Sequence, residues 1–364
     1  MLNDLRKKFG RKMKVLNTIE LSSAALIHNY KYYAKKHPEA KICPVLKSNA
    51  YGHGLIEIAR ICEKLRPPYL IVDSFYEALE LKKAGVKTPC LIIGYTLPEN
   101  YKDMSFNNVA VSILDLNTIH ALGRLNKKVK VHLKIDTGMH RQGILIDDLP
   151  EALELISKYK KLELEGIFTH LADADNSKKT FTISQVNKFK KAIKNIDVKW
   201  KHISATAGAG IIKDKNFNMI RIGLGLYGDS PIDKDAKNLK PIMRFSSTLI
   251  DIKTLKKGDC VSYGCTFKAK QNMKIGLIPA GYYEGIDRRL SNKGYVYYGN
   301  VKCKILGRVC MNLCVIDLSQ VKGVRKGAKI DIIKSNVREI AELSETISYV
   351  VWTKISPTIR RVAK

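Results

Sequence analysis

Between residues 41 and 227 the chain repeats one arrangement eight times: a short run of β-branched and apolar residues, then a longer amphipathic stretch. The strand-like runs are KICPVL (41–46), YLIV (69–72), CLIIG (90–94), VAVS (109–112), VKVHLKI (129–135), LEGIFT (164–169), WKHIS (200–204) and MIRIG (219–223). Helical patterns such as LIEIARICEKL, SFYEALELKKAG and EALELISKYKK separate them. Eight strands alternating with helices predict an α/β fold, a (β/α)8 TIM-like barrel. A doubly wound open sheet satisfies the same periodicity. The barrel is the preferred reading because polar residues gather at the C-terminal ends of the strands.

After residue 240 the pattern changes to short alternating runs such as STLIDIK, MKIGLIP, GYVYYGNVKCKIL and AKIDIIK, separated by turns. Gly299-Asn300 between two such runs signals a hairpin. The expected organisation is therefore a barrel over residues 1–240, its first ~14 residues a basic lead-in, and an all-β domain over 241–364. A length of 364 residues agrees with two domains.

Composition narrows the functional classes. Lys+Arg outnumber Asp+Glu 64 to 34, a formal charge of +30. The excess is mostly lysine scattered through nearly every segment, and its densest cluster (Arg6, Lys7, Lys8, Arg11, Lys12, Lys14) lacks interleaved aromatics. Charge alone is only the first mark of a nucleic-acid binder, so none is inferred. No apolar run is long enough to span a bilayer, and the start MLNDLRKKFGRKMKVL has no apolar core of a secretory signal. The expectation is a soluble cytoplasmic protein without membrane contact. The eight cysteines form no C-x-x-C pair and no zinc spacing, so buried reduced thiols and no metal are expected.

Catalytic groups of a barrel enzyme stand just past the strand C-termini. Lys47 follows the first strand directly, where partial desolvation favours imine formation with a carbonyl. His132, Lys134 and Asp136 share one face of the fifth strand, with Arg141 in the loop beyond. Ionisable residues at that spacing are costly inside a barrel unless they meet partners. His170 ends the sixth strand, Thr206 follows the seventh, and Arg221 with Gly223 and Gly225 belongs to the eighth. Glycine-rich backbone after strands seven and eight is where barrels commonly hold phosphate.

Seven segments, VLKSNAYGHG, KIDTGMHRQG, FTHLADAD, RIGLGLYG, VSYGCTF, GYYEGIDRRLSNKG and GRVCMN, resemble the successive motifs of bacterial alanine racemases, in order and at matching distances from about residue 15 onward. The resemblance implies a pyridoxal 5'-phosphate (PLP) barrel and a homodimer with shared active sites. It implies that Lys47 holds PLP covalently. Tyr51, the Thr206 hydroxyl and the N–H groups of Gly223 and Leu224 would meet its phosphate. Arg221 would meet the pyridine nitrogen, and Arg141 the substrate carboxylate. His170 would link Arg221 to Tyr263, contributed by the partner subunit together with Tyr282 and the backbone of Met311. Racemisation takes a proton from one face of the α-carbon and returns one to the other, so it needs two opposed bases. The resemblance assigns these to Lys47 and Tyr263. It also implies carbamylation of Lys134, and D-alanine supply for peptidoglycan as the role.

Four positions depart from the family pattern: His140 for glycine, Thr206 for serine (preceded by Ala205 rather than asparagine), Asn312 for aspartate and Pro357 for a phosphate-contacting tyrosine. Loss of that tyrosine and of a charge at Asn312 leaves open a broad-specificity or serine-accepting enzyme. A non-catalytic PLP-binding protein is the remaining alternative, against which the β domain with Tyr263 argues.

Overall fold

A computed structural model describes residues 14–364 of the chain; most of the basic lead-in lies outside them. Two compact units divide the chain, one over residues 23–242 and the other over 243–364 with the described residues up to Ser22.

The first unit contains the eight expected strands, Lys41–Pro44, Leu70–Val72, Cys90–Ile92, Val109–Ile113, Val129–Asp136, Leu162–Phe168, Trp200–His202 and Met219–Ile222. Leu70–Val72 through Trp200–His202 form one parallel ladder, and Met219–Ile222 pairs in parallel with Lys41–Pro44. Two seams close the ring. On one side Val45 bridges Ile71 and Leu46 N–H donates to Ile71 O at 2.7 Å; on the other, Arg221 N–H donates to Ser204 O at 3.0 Å. Closure excludes the open doubly wound sheet. The strands are short, mostly buried on both faces, and packed inside by Cys43, Val45, Tyr69, Ile71, Leu91, Ala110 and Met219. Two of the helices start where a short polar side chain accepts an otherwise orphaned N–H: Ser74 from Glu77 and Asp115 from Thr118.

The second unit is a nine-stranded sheet in the order Asp251–Leu255, Met273–Ile278, Cys314–Asp317, Val301–Leu306, Tyr295–Tyr298, Lys329–Ile333, Met243–Thr248, Thr18–Leu21, Arg360–Ala363. Gly299, with φ of 58°, turns Tyr298 onto Val301 as the hairpin signal predicts. Two short helices, Val337–Leu343 and Ser348–Thr353, also belong to this unit. One boundary expectation needs correction. Thr18–Leu21, assigned above to the barrel, instead pairs antiparallel with Met243–Thr248 and parallel with Arg360–Ala363. The reason is its alternation: Ile19 and Leu21 are buried, while Thr18 and Glu20 are not. That pattern suits a strand with one covered face, unlike barrel strands buried on both.

The thiols also need correction. Cys43, Cys62, Cys90, Cys303 and Cys314 are buried as expected, Cys310 is half-buried, and Cys260 and Cys265 are exposed. Cys260 stands in the first of two paired two-residue strands, Cys260–Val261 and Phe267–Lys268, and Cys265 in the turn between them, too small a hairpin to bury its own side chains.

The barrel's last turn depends on one glycine. Gly228 has φ of 96°, and a Cβ there would meet the Lys240 carbonyl oxygen at 2.3 Å. Gly228→Ala should lose roughly 2–5 kcal/mol, the sum of left-handed strain and overpacking. A urea midpoint equal to that of the wild type would refute this.

Candidate active site

Lys47 opens a short turn, Lys47–Tyr51, whose last four residues are left-handed: φ is 56° at Ser48, 55° at Asn49, 52° at Ala50 and 54° at Tyr51. Each such residue costs about 1–2 kcal/mol, so the surroundings must impose the conformation. Asn49 Oδ1 accepts from Leu55 N–H at 2.8 Å, and Asn49 O accepts from Gly54 N–H at 3.0 Å. His53 Nδ1 lies 3.0 Å from the carbonyls of both Ala50 and Tyr51, which can only accept, and its ring stacks on Tyr227. Tyr227 in turn donates to Val45 O at 2.7 Å. The strain is held next to the half-buried Lys47.

On the strand paired with Lys41–Pro44, Arg221 is 2% exposed and held through both terminal nitrogens of its guanidinium. Nη1 lies 2.8 Å from His202 Nδ1; Nη2 lies 2.9 Å from Thr169 O, 3.2 Å from Ile203 O and 3.1 Å from His170 Nδ1. A guanidinium has only donors, so both histidines accept through Nδ1, and His170 keeps its proton on Nε2. Burial, then Arg221, Arg141, Lys134 and Lys47, push His170 down to about 3. It is a neutral imidazole in a ring of cations. Burial lowers Arg221 itself to about 10.

Lys134 is buried, its Nζ 3.4 Å from Gln142 Oε1. Burial, then Arg141 and Arg221, bring its amine down to about 8. Asp136 has a structural part: its Oδ1 accepts from the N–H groups of Gly138, Met139 and His140 at 2.8, 3.0 and 3.1 Å. These bonds hold His140 at φ 51°, which explains why a glycine suits that position. Arg141 stands exposed just beyond.

Tyr51, Thr206, Gly223 and Leu224 come together beside the eighth strand. A Cβ on Gly223 would sit 2.5 Å from Tyr51 Oη, so the phenol rests against bare backbone. Thr206 Oγ1 accepts from Gly225 N–H at 3.0 Å, leaving its own hydrogen to donate. Two hydroxyls beside a Gly223–Leu224 turn form a donor set suited to a phosphate.

The three remaining predicted residues gather in the other unit. Tyr263, Tyr282 and Met311 are 71%, 43% and 55% exposed, and with Asp287, Arg288 and Lys354 they line a cavity of about 770 Å³. Lys354 Nζ bonds Asp287 Oδ2 at 2.9 Å. Asn312 donates to Glu284 Oε1 at 2.9 Å, and Glu284 Oε2 accepts from Gly281 N–H at 2.8 Å. An aspartate at 312 would set two carboxylates against each other, which accounts for the asparagine. Pro357 lies in a turn braced by Arg361 Nη1, 3.1 Å from Ser356 O and 3.2 Å from Pro357 O.

Sequence reasoning missed His202, Glu165 and the left-handed turn. Glu165 was detectable as a charge within a strand expected to be buried on both faces, and His202 as the polar residue of WKHIS.

Comparison with known proteins gives two family matches: "Alanine racemase, N-terminal domain" over residues 21–231 and "Alanine racemase, C-terminal domain" over 242–363. Among curated relatives, the alanine racemase of Methanococcus maripaludis is 32% identical, covering 94% of this chain and 97% of its own. That of Borreliella burgdorferi is 36% identical, covering 94% and 96%. The alanine racemase structure of Clostridium difficile 630 superposes with a TM-score of 0.91 at 30% identity, covering 97% of each chain.

Proposed function

This chain belongs to the alanine racemase family, and from that premise we propose how its residues divide the work of interconverting L- and D-alanine with PLP. The observation that carries the reading is the barrel mouth, where Lys47 shares the site with a donor cradle, a buried Arg221 held through Nη1 and Nη2, and a neutral His170. Those groups fit PLP: an amine for its carbonyl, hydroxyls and N–H groups of Tyr51, Thr206, Gly223 and Leu224 for its phosphate, and Arg221 for the pyridine nitrogen. When bound, PLP supplies the electron sink that stabilises an α-carbanion.

The chain's own groups decide the fate of the proton. Lys47 Nζ takes or returns the α-proton on one face of the substrate. Tyr263 of the partner subunit does so on the other. His170 supports the second base because Nδ1 is occupied by Arg221, so the Nε2–H is the hydrogen it can offer a phenolate. Arg141, exposed at the rim, receives the substrate carboxylate. The 770 Å³ cavity presents Tyr263, Tyr282 and the Met311 backbone to the partner's barrel in a homodimer. The likeness to enzymes of alanine also supports a role in supplying D-alanine for peptidoglycan, and a cytoplasmic location. No observation favours the serine-accepting or non-catalytic alternatives.

The test is a panel of L-amino acids incubated with the PLP-loaded protein in deuterated water. L-alanine should lose optical rotation with α-deuterium incorporation, faster than any other amino acid. Exchange without loss of rotation would sink the racemase reading.

Lys134 supplies a further prediction. An amine lowered to about 8 is partly neutral at pH 7–8, and a neutral amine adds carbon dioxide to give a carbamate and a proton. The product turns a cation beside Arg141 into an anion, relieving the repulsion that lowers Lys134. In 13C-bicarbonate the native protein should show a carbamate carbon that Lys134→Ala removes. A spectrum identical in the two proteins would overturn it.

A further inference from the structure

Arg221 and His170 belong to the reading above, but three ionisable side chains deeper in the barrel do not. His132 and His202 are 0% exposed and Glu165 is 4% exposed. Barrels normally fill this space with branched apolar side chains, so the groups need an account.

Hydrogen-bond direction supplies it. Arg221 donates to His202 Nδ1, so the His202 proton is on Nε2, which lies 2.9 Å from His132 Nδ1. His132 Nδ1 therefore accepts, and its own proton is on Nε2, which makes no hydrogen bond but faces Glu165 Oε2 across 3.6 Å, an electrostatic contact. Burial pushes both imidazoles below their ordinary range, so each is neutral. Glu165 accepts from Tyr69 Oη, from Lys130 Nζ at 2.7 Å and from Lys199 Nζ at 3.5 Å. Burial alone would raise its carboxyl, but the neighbouring His132, Lys130 and Tyr69 hold it well below the usual range. Every neighbour of Glu165 in this column is a donor, so the position requires a group that only accepts. Tyr69 and Lys199 each immediately precede a barrel strand and Lys130 is second in its own, which puts Glu165 toward the end of the barrel away from Lys47. Gly166 makes room for the column, since a Cβ there would meet His132 Nδ1 at 2.4 Å.

We propose that Glu165 is a positioning residue for Arg221, acting through His132 and His202 along the inside of the barrel. Its carboxylate sets the direction of every hydrogen in the column and so leaves a lone pair facing Arg221 Nη1. An amide at 165 can donate to His132 Nε2 instead. His132 and His202 then each move their proton to Nδ1, and the His202 N–H is driven against the guanidinium. The consequence for turnover rests on the racemase reading; the tautomers do not.

The experiment is 15N NMR of histidine-labelled, PLP-loaded enzyme between about pH 6 and 8, with signals assigned through single histidine variants; the two ring nitrogens report the tautomer directly. In the wild type, His132 and His202 should carry hydrogen on Nε2 alone and should not titrate. In Glu165→Gln both should shift toward Nδ1–H, and kcat for alanine should fall about tenfold or more, the scale on which the hydrogen-bond partners of metal ligands act, with KM nearly unchanged. Glu165→Asp, which keeps an acceptor, should retain the wild-type tautomers. A wild-type column with hydrogen on Nδ1 or a titrating imidazole overturns the proposal, even where Glu165→Gln fails to fold. Unchanged tautomers in a folded Glu165→Gln overturn it as well, as do swapped tautomers with unchanged kcat. A wild-type enzyme inactive on alanine would refute the function and leave the tautomer prediction to stand or fall by itself.

Discussion

Mixing a Lys47→Ala chain with a Tyr263→Phe chain, each inactive alone, should return about a quarter of the wild-type racemase activity, as an isologous dimer with shared sites requires. In a hybrid dimer one site receives both lesions, while the other combines an intact Lys47 with an intact Tyr263. Random reassembly makes about half the dimers hybrid, and half the sites in those are whole. Both residues sit where such an exchange is feasible: Lys47 is in the barrel unit, and Tyr263 is 71% exposed in the other. Activity measured after co-refolding at varied ratios should peak at equal amounts of the two chains. If every mixture stays inactive although hybrid dimers are shown to form, each site is built from a single chain and the shared-site proposal fails.

The second large effect is directional. Tyr263→Phe removes one of two opposed proton-transfer groups, a change worth about 10²–10⁴-fold for a positioned acid or base. Racemisation should fall by that amount in both directions, because each direction uses both bases. Exchange of the α-proton should divide instead. One enantiomer, deprotonated by Lys47, should continue to incorporate deuterium with its configuration retained; the other should lose exchange almost completely. NMR of D- and L-alanine incubated separately in deuterated water measures both rates. Equal loss for the two enantiomers would mean that a single base serves both faces. His170 sharpens the expectation, since its Nε2–H has no partner phenolate to support once Tyr263 is phenylalanine.

Much of this molecule is written locally. The eight barrel strands are short runs rich in β-branched and apolar residues, whose bounds in the structure differ from their sequence bounds by one or two residues. Lys47, Lys134, His170, Thr206 and Arg221 were identifiable because a barrel gathers the C-terminal ends of all its strands at one face. Thr18–Leu21 was misassigned although its alternation was present, because four residues of alternating burial do not say which sheet will cover them. The exposed Cys260 and Cys265 escaped for a similar reason: composition makes cysteine a buried residue, while a two-residue hairpin has no interior to offer.

Sequence by itself determined the strand and helix order, the change to a β sheet after the barrel, and the places of Lys47, Thr206 and Arg221 at the ends of their strands. These depend on periodicity and on residues adjacent in the chain, so local chemistry is enough to read them. Tertiary structure alone decided the closure of the ring by Val45 with Ile71 and Arg221 with Ser204, the left-handed turn beside Lys47, and the direction of every hydrogen from Arg221 to Glu165. A hydrogen bond's direction belongs to a pair of groups, and here the pairs join residues 19 and 70 positions apart. No window along the chain contains both ends of such a bond, whereas the folded barrel sets them 2.8 and 2.9 Å apart.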